Sequence, residues 1–224
     1  MRRNYKDEIR VKKRKKAVLK ASLTLFIIIA VCIGLGYLLF FANLLDLRFL
    51  DVKGAESISQ DELKAVTENW LNKGFWGISR GKNLLFILAQ DLARELTAKF
   101  PRINSVEIKK EFPHSLKITV AERKLAGIWC FASSAKCFYF DRNGVAYAEA
   151  EPSSGFLILS VNDYREKEVM LGSHVALEEW FKNIMTAKEL LPKIGIGVAE
   201  FTIPSDSFDE FDAKTSEGWK ILFS

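Results

Sequence analysis

Few residues of this 224-residue chain are of a type that carries covalent or metal chemistry. Cys130 and Cys137 lie in the stretch IWCFASSAKCFYF, where a turn at Ala132 to Ala135 pairs Phe131 with Lys136 and sets the two cysteines opposite each other. Directly opposed residues in an antiparallel pair hold their Cβ atoms about 4.5–5.5 Å apart, so a bridge needs only slight adjustment. A structural disulfide is the expectation, with two free thiols as the alternative. A metal site would need partner ligands, and the whole chain has only His114 and His174 to supply as histidines.

Two signatures of hydrolytic chemistry are missing: there is no His-Glu-x-x-His, and no cysteine with a histidine and asparagine arranged around it. The one Gly-x-Ser-x-Gly, Gly77 to Gly81, falls in a Gly-rich loop. His114 falls in a turn and His174 at the entrance to a helix. The pairs Glu178-Glu179 and Asp209-Glu210 are adjacent in sequence, which points their carboxylates in different directions, as on a solvated face. Gly195-Ile196-Gly197 closes a helix and does not match a phosphate-binding loop. An anchored extracytoplasmic enzyme acting on the cell wall is the alternative reading, and it would have to draw on scattered carboxylates. No cofactor is expected.

The elements that position these residues begin with an anchor. Ala21 to Leu45 contains no Lys, Arg, Asp or Glu. Twenty-five residues at the helical rise reach about 37 Å, enough to cross a hydrocarbon core of about 30 Å. The apolar run is longer than a signal-peptide core, and no small-x-small cleavage pattern follows it. The first twenty residues carry ten Lys or Arg against two acidic residues, a net of +8, whereas residues 46–224 carry 23 basic and 26 acidic, a net of −3. Basic flanks stay in the cytoplasm, so the expected topology is a cytoplasmic tail at 1–20, a span at 21–45 and everything else outside. The run VKKRKK is a topology signal on this reading, and nucleic-acid or anionic-lipid binding is the sharper alternative. Outside the cytoplasm a disulfide persists. Cys32 lies within the span as a small apolar residue.

After the span, LRFLDVKGAES reads as a strand running into a turn at Gly54. Ser59 with Glu62 is a capping-box signal, and Leu63, Val66 and Trp70 predict a helix to about Asn72. The stretch NKGFWGISRGKN is a loop. Its Phe75 and Trp76 divide evenly between a partner or membrane contact and a fold-back over the small core. A second helix from about Leu85 places Leu88, Leu92 and Leu96 on one stripe and pairs Glu95 with Lys99, before Pro101 stops it. Val106 and Ile108, then Leu116, Ile118 and Val120 beyond the Pro113-His114 turn, alternate as strands covered on one face.

This order and several motifs together carry a resemblance. FLDVKGA, GKNLLFI, FPRINSVEIKKEFPHSLKITVAERK and FDRNGVAY follow a basic tail and one span. The chain resembles the bacterial FtsQ/DivIB family, whose exported part begins with a POTRA domain of strand-helix-helix-strand-strand order. The likeness is most specific from Pro101 to Arg123, where Phe112-Pro113 punctuates the hairpin and Glu122-Arg123 marks the hand-over to the next domain. The fold class this implies is α+β: one transmembrane helix, a POTRA domain at 46–122, and a β-rich second domain at 123–224 with one long helix.

In that second domain strands are expected at Ile128–Phe131, Phe138–Asp141, Val145–Ala148 and Phe156–Leu159. A helix follows from about Ala176, with Leu177, Phe181, Ile184 and Leu191 inward and Pro192 and Gly195 ending it. Further strands are expected near Val198–Ile203, Phe208–Lys214 and Trp219–Phe223. Trp129 and Trp180 are expected in the core. The resemblance also implies a further short helix and terminal strand, which this sequence lacks after EGWKILF. In the family that terminal strand binds coiled-coil partners by extending the sheet. Here Trp219, Lys220, Ile221, Leu222 and Phe223 are the corresponding candidates for an edge that a partner strand joins.

By resemblance the chain is a divisome scaffold. It would bind small single-span partners of the FtsB/FtsL type, act through them on the septal synthases FtsW and FtsI, and sit in the cell membrane at the division septum. No nucleic acid and no small-molecule substrate enter this reading. An outer-membrane assembly component bearing a POTRA unit would require a long β-barrel, for which about a hundred residues including a helix leave no room.

Overall fold

The computed structural model describes residues 3–41, 45–73, 83–152, 158–165, 168–207 and 210–224, with the side chains of residues 13–38 in the first of these stretches. Helix α1 runs from Arg3 to Phe41. Within its segment Lys13–Leu38 an 18-residue stretch has a mean hydropathy of 2.5 and is not buried, so the helix is long and apolar enough to cross a membrane. The helix begins well before Ala21 because the basic tail is built of good helix formers that simply continue the register. It is described as far as Phe41, and residues 42–44, within the expected span, lie outside those described.

By internal contact the chain falls into two units. One comprises Met1–Leu50, Trp70–Ile87 and Lys110–Leu116, and the other Asp51–Asn69, Leu88–Lys109 and Lys117–Ser224. In the first, the chain beyond the helix is tied down on both sides. The Leu84 N–H donates to the Leu45 carbonyl at 2.8 Å, while the N–H groups of Arg48 and Phe49 both donate to the His114 carbonyl. The His114 ring closes the same knot, its Nδ1 lying 3.0 Å from the Asp46 carbonyl. A carbonyl only accepts, so Nδ1 carries the proton.

The strand-helix-helix-strand-strand order appears as β1 (Phe49–Lys53), α2 (Gln60–Asn72), a 3₁₀ turn (Leu84–Phe86), α3 (Ala89–Lys99), β2 (Ile103–Glu111) and β3 (Ser115–Glu122). The sheet order is β1-β3-β2. The central strand β3 buries Leu116, Ile118 and Val120 in strict alternation. Gly54, just after β1, has φ +82°, and a Cβ there would meet the Val120 carbonyl oxygen at 2.1 Å, so only glycine fits.

Two helical details differ from expectation. In α2 the fully buried position is Thr67 rather than Val66, which is half-buried; the Thr67 hydroxyl donates back to the Leu63 carbonyl at 2.8 Å and so hides its polarity. Leu88 is exposed, because it is the N-cap of α3 and lies outside the stripe formed by Leu92 and Leu96. Lys99 lies 3.9 Å from Glu95, and α3 ends there, two residues before Pro101.

The second domain is one mixed sheet of seven strands. These are β4 (Gly127–Phe131), β5 (Lys136–Phe140), β6 (Ala146–Ala150), β7 (Leu159–Asp163), β8 (Val198–Ile203), β9 (Phe211–Thr215) and β10 (Lys220–Phe223), in the order β10-β9-β8-β7-β4-β5-β6. Strand β7 runs parallel to both β4 and β8, and the other neighbours are antiparallel. It lies at Leu159–Asp163, later than the expected Phe156–Leu159. Its Ser160, Val161 and Asp163 are the buried positions of a central strand, and residues 153–157 lie outside those described. Residues 208 and 209 lie outside them too, and the strand expected there begins at Phe211.

Helix α4 (Glu178–Leu190) contributes Trp180, Phe181, Ile184 and Ala187 to the aromatic core built on Trp129, Phe131, Phe140 and Phe201. Leu177 is exposed because it is the N-cap, and Leu191 is buried from a 3₁₀ turn that Gly195 ends with φ +82°.

Candidate functional site

Among the described residues the surfaces that can bind a partner are sheet edges and the junction between the two domains. Among the described residues no group of three or more His, Cys, Asp or Glu could hold a metal ion. Cys130 stands opposite Cys137 across the β4/β5 pair, with Cα atoms 4.0 Å apart, and a disulfide joins them. It closes the tip of a hairpin and leaves no sulfur free for nucleophilic work. Cys32 is exposed on α1.

The junction is built from the charged residues that end β3. Burial acts to raise the Glu122 carboxyl, but the backbone N–H groups of Ser57, Glu56 and Ile58 donate to it at 2.8, 2.7 and 3.1 Å and hold it below its ordinary value. One carboxylate thus satisfies three donors in the turn that leads into α2. Arg123 faces the other way. Its Nη1 donates to Asp141 Oδ2 at 2.6 Å, its Nε to the Pro101 carbonyl at 3.0 Å, and its backbone N–H to the Arg102 carbonyl at 2.8 Å.

Asp141 is 6% exposed at its side chain, and its second oxygen accepts the N–H groups of Asn143 and Val145. The Arg102 guanidinium lies 5.9 Å from the Tyr147 ring centre, adding a second tie across the same junction. Sequence reasoning marked Glu122 and Arg123 but missed Asp141. Its one available signal is its place at the head of DRNG, a turn sequence that also explains why its own carboxylate caps two turn amides.

Phe112 and Pro113 form the β2/β3 turn through a cis peptide bond, with Phe112 exposed. Phe75 and Trp76 lie outside the described residues.

Four of the five C-terminal candidates sit on β10 and Trp219 immediately precedes it. Among the described residues β10 pairs with β9 alone, Lys220 facing Lys214 and Phe223 facing Phe211. The Thr215 N–H donates to the Trp219 carbonyl. Bonding alternates along an antiparallel pair, so Lys220 and Leu222 turn their backbone N–H and C=O groups away from the sheet. Side chains alternate as well. Ile221 and Phe223 lean on the core, with Phe223 stacked on Phe211 at 4.6 Å, and offer a partner only backbone. Leu222 is 76% exposed, and Trp219 is held at the strand entrance by Nε1 donating to Glu217.

Comparison with known proteins agrees with this architecture. Residues 46–123 match the family model described as POTRA domain, FtsQ-type. The chain is similar to the protein named cell division protein FtsQ of Mycobacteroides abscessus, at 27% identity over 143 residues, 64% of this chain and 42% of that one. A Mycobacterium tuberculosis protein of the same name is 28% identical over 134 residues, 60% of this chain and 39% of that one. Cell division protein DivIB of Clostridium acetobutylicum is 25% identical over 149 residues, 66% of this chain and 52% of that one. The chain therefore spans about two fifths of the length of these mycobacterial relatives. Residues 46–123 thus form a POTRA domain of FtsQ type, set between an apolar helix and a β-rich domain, and the chain is similar to cell-division proteins named FtsQ and DivIB.

Proposed function

We propose that this chain is a scaffold of the bacterial division machinery that works by binding rather than by catalysis. Its N-terminal helix anchors it in the cell membrane with the basic end in the cytoplasm, and both folded domains stand outside. It captures small single-span partners of the FtsB/FtsL type and acts through them on the septal synthases FtsW and FtsI.

The observation that carries this reading is the open edge of β10. Two residues there, Lys220 and Leu222, present unpaired strand backbone, and Leu222 adds an exposed apolar side chain. A partner segment that adds a strand gains main-chain hydrogen bonds from that backbone and specificity from the side chain. An open, partly apolar edge is otherwise an aggregation hazard, which a resident partner removes.

Leu222→Pro tests it. Proline removes an outward N–H and none that pairs with β9, so the fold tolerates it while an incoming strand loses a donor. The expected result is loss of co-purification with FtsB- and FtsL-type partners and loss of the septal band of an N-terminally tagged chain, with the unfolding midpoint of the purified protein unchanged. Normal partner capture by Leu222→Pro would overturn the edge reading. A uniform membrane signal from the unaltered chain, with partners present, would overturn the divisome reading itself.

A further inference from the structure

Helix α4 has a second face, and it lines a cleft. Glu178, Lys182, Met185 and Glu189 recur at spacings of four, three and four, which places them on one side of the helix. The opposite wall is Leu125 and Ala126, immediately after the Arg123 junction, and the turn Arg142-Asn143 closes one end. The enclosed volume is about 620 Å³, and Phe181 forms part of its floor. Gly144 follows this turn: with φ +75° and the Phe181 ring 3.0 Å from where a Cβ would stand, no larger residue lets the turn approach the helix so closely.

The lining carries three cations, Arg142, Lys182 and Lys188, and two carboxylates, Glu178 and Glu189. Lys188 reaches across to donate from Nζ to the Ala126 carbonyl at 3.2 Å. Burial pushes its amine below the usual lysine range, Glu189 opposes that shift, and nearby Arg142 adds to it. The side chains of Arg142 and Lys182 form no hydrogen bond or ion pair with any described residue. Glu189 offsets part of the repulsion among these cations at Lys188, and an incoming carboxylate relieves the rest.

We infer that this cleft binds an extended peptide segment of a partner protein carrying a central Asp or Glu flanked by apolar residues. The carboxylate would sit among Arg142, Lys182 and Lys188, and the apolar neighbours would lie on Phe181, Met185 and Leu125. Two observations favour a peptide over a small anion. From Glu178 to Glu189 the lining face extends about 16 Å at the helical rise, the length of about five extended residues. A phosphate would occupy only the middle, leaving the apolar floor unused. A polyanion is disfavoured too, since Glu178 and Glu189 would repel its ends. The site is separate from the β10 edge and does not depend on the function proposed for that edge.

The test pans a random heptapeptide display library against the full chain in detergent micelles, alongside Arg142→Glu/Lys182→Glu and the milder Arg142→Gln/Lys182→Gln. Both positions changed are exposed, so both variants are expected to keep the unfolding midpoint of the parent. Peptides recovered by the parent should be enriched in one central Asp or Glu between apolar residues. Their affinity should fall about tenfold or more in the charge-reversed variant, a single charged contact being of this order. A synthetic copy with the central acid changed to Lys should bind the reversed variant better than the parent, a swap that mere structural damage does not produce. The proposal is overturned if no acidic position is enriched, if the same peptides bind both variants equally, or if millimolar inorganic phosphate displaces them completely and apolar positions show no preference.

Discussion

The POTRA domain and the sheet domain that follows it are stabilised by different side chains. Buried residues of the POTRA region are almost all aliphatic, from Val52 and Leu63 through Leu92 and Leu96 to Leu116 and Ile118, with Trp70 the one buried aromatic among its described residues. The sheet domain is aromatic at its centre: Trp129 meets Phe140 edge-on at 5.8 Å, Phe140 meets Phe181 at 5.7 Å, and Phe211 stacks on Phe223. A small domain buries less of its surface than a large one. The POTRA region accordingly fixes its turns with charge-assisted hydrogen bonds, Glu122 above all, whereas the sheet domain fixes its shape mainly with ring packing. The difference teaches that a similar substitution should act locally in one domain and globally in the other.

The largest effect is expected where the aromatic core is deepest. Trp129→Ala removes a fully buried side chain and one of the donors to the buried Asp163, so it should destabilise the sheet domain by about 4 kcal/mol in denaturant titrations. Arg123→Ala comes next, at about 3 kcal/mol, because it strands the buried Asp141 carboxylate. That loss should appear in amide-exchange rates on both sides of the junction, at Pro101–Ile103 and at Asp141–Val145. Replacing Cys130 and Cys137 together by Ala opens a loop of sequence separation seven and should lower stability by about 2.5 kcal/mol on the chain-entropy estimate. Reduction of the parent should match it.

Glu122→Gln is the smallest change, about 1.5 kcal/mol for a partly solvated carboxylate. Its signature is pH dependence. The folded carboxyl titrates below its ordinary value of 4.5, so its contribution is complete above that value and is lost as pH falls through the folded one. Acid titration of the parent should show that decline, and the Gln variant should show less of it. An equally steep acid limb in both would separate Glu122 from the stability of the turn.

Much of the fold is legible from local pattern. Alternation in Leu116-Lys117-Ile118-Thr119-Val120 specifies a strand with one covered face, and Pro192 with Gly195 ends helix α4 through its 3₁₀ turn. Helix starts are legible only to within a residue or two. Leu88 and Leu177 carry the right side chain for a buried stripe, yet each falls at an N-cap, where the chain has not entered the helix. The candidate sites were less legible, because their partners are remote. Asp141 is eighteen residues from Arg123, and Ala126 is sixty-two from Lys188.

The amino-acid sequence by itself determined the apolar helix, the order of elements through the POTRA region, the β4/β5 hairpin that sets Cys130 opposite Cys137, and the family motif. Each depends on residues near one another along the chain, where period and turn chemistry act directly. Only the tertiary structure decided that β7 inserts parallel between β4 and β8, that β10 pairs with β9 at the margin of the described sheet, and that Arg142, Lys182 and Lys188 share a cleft. These depend on which distant segments find each other, and that is set by burying the aromatic core of the whole domain rather than by any local preference.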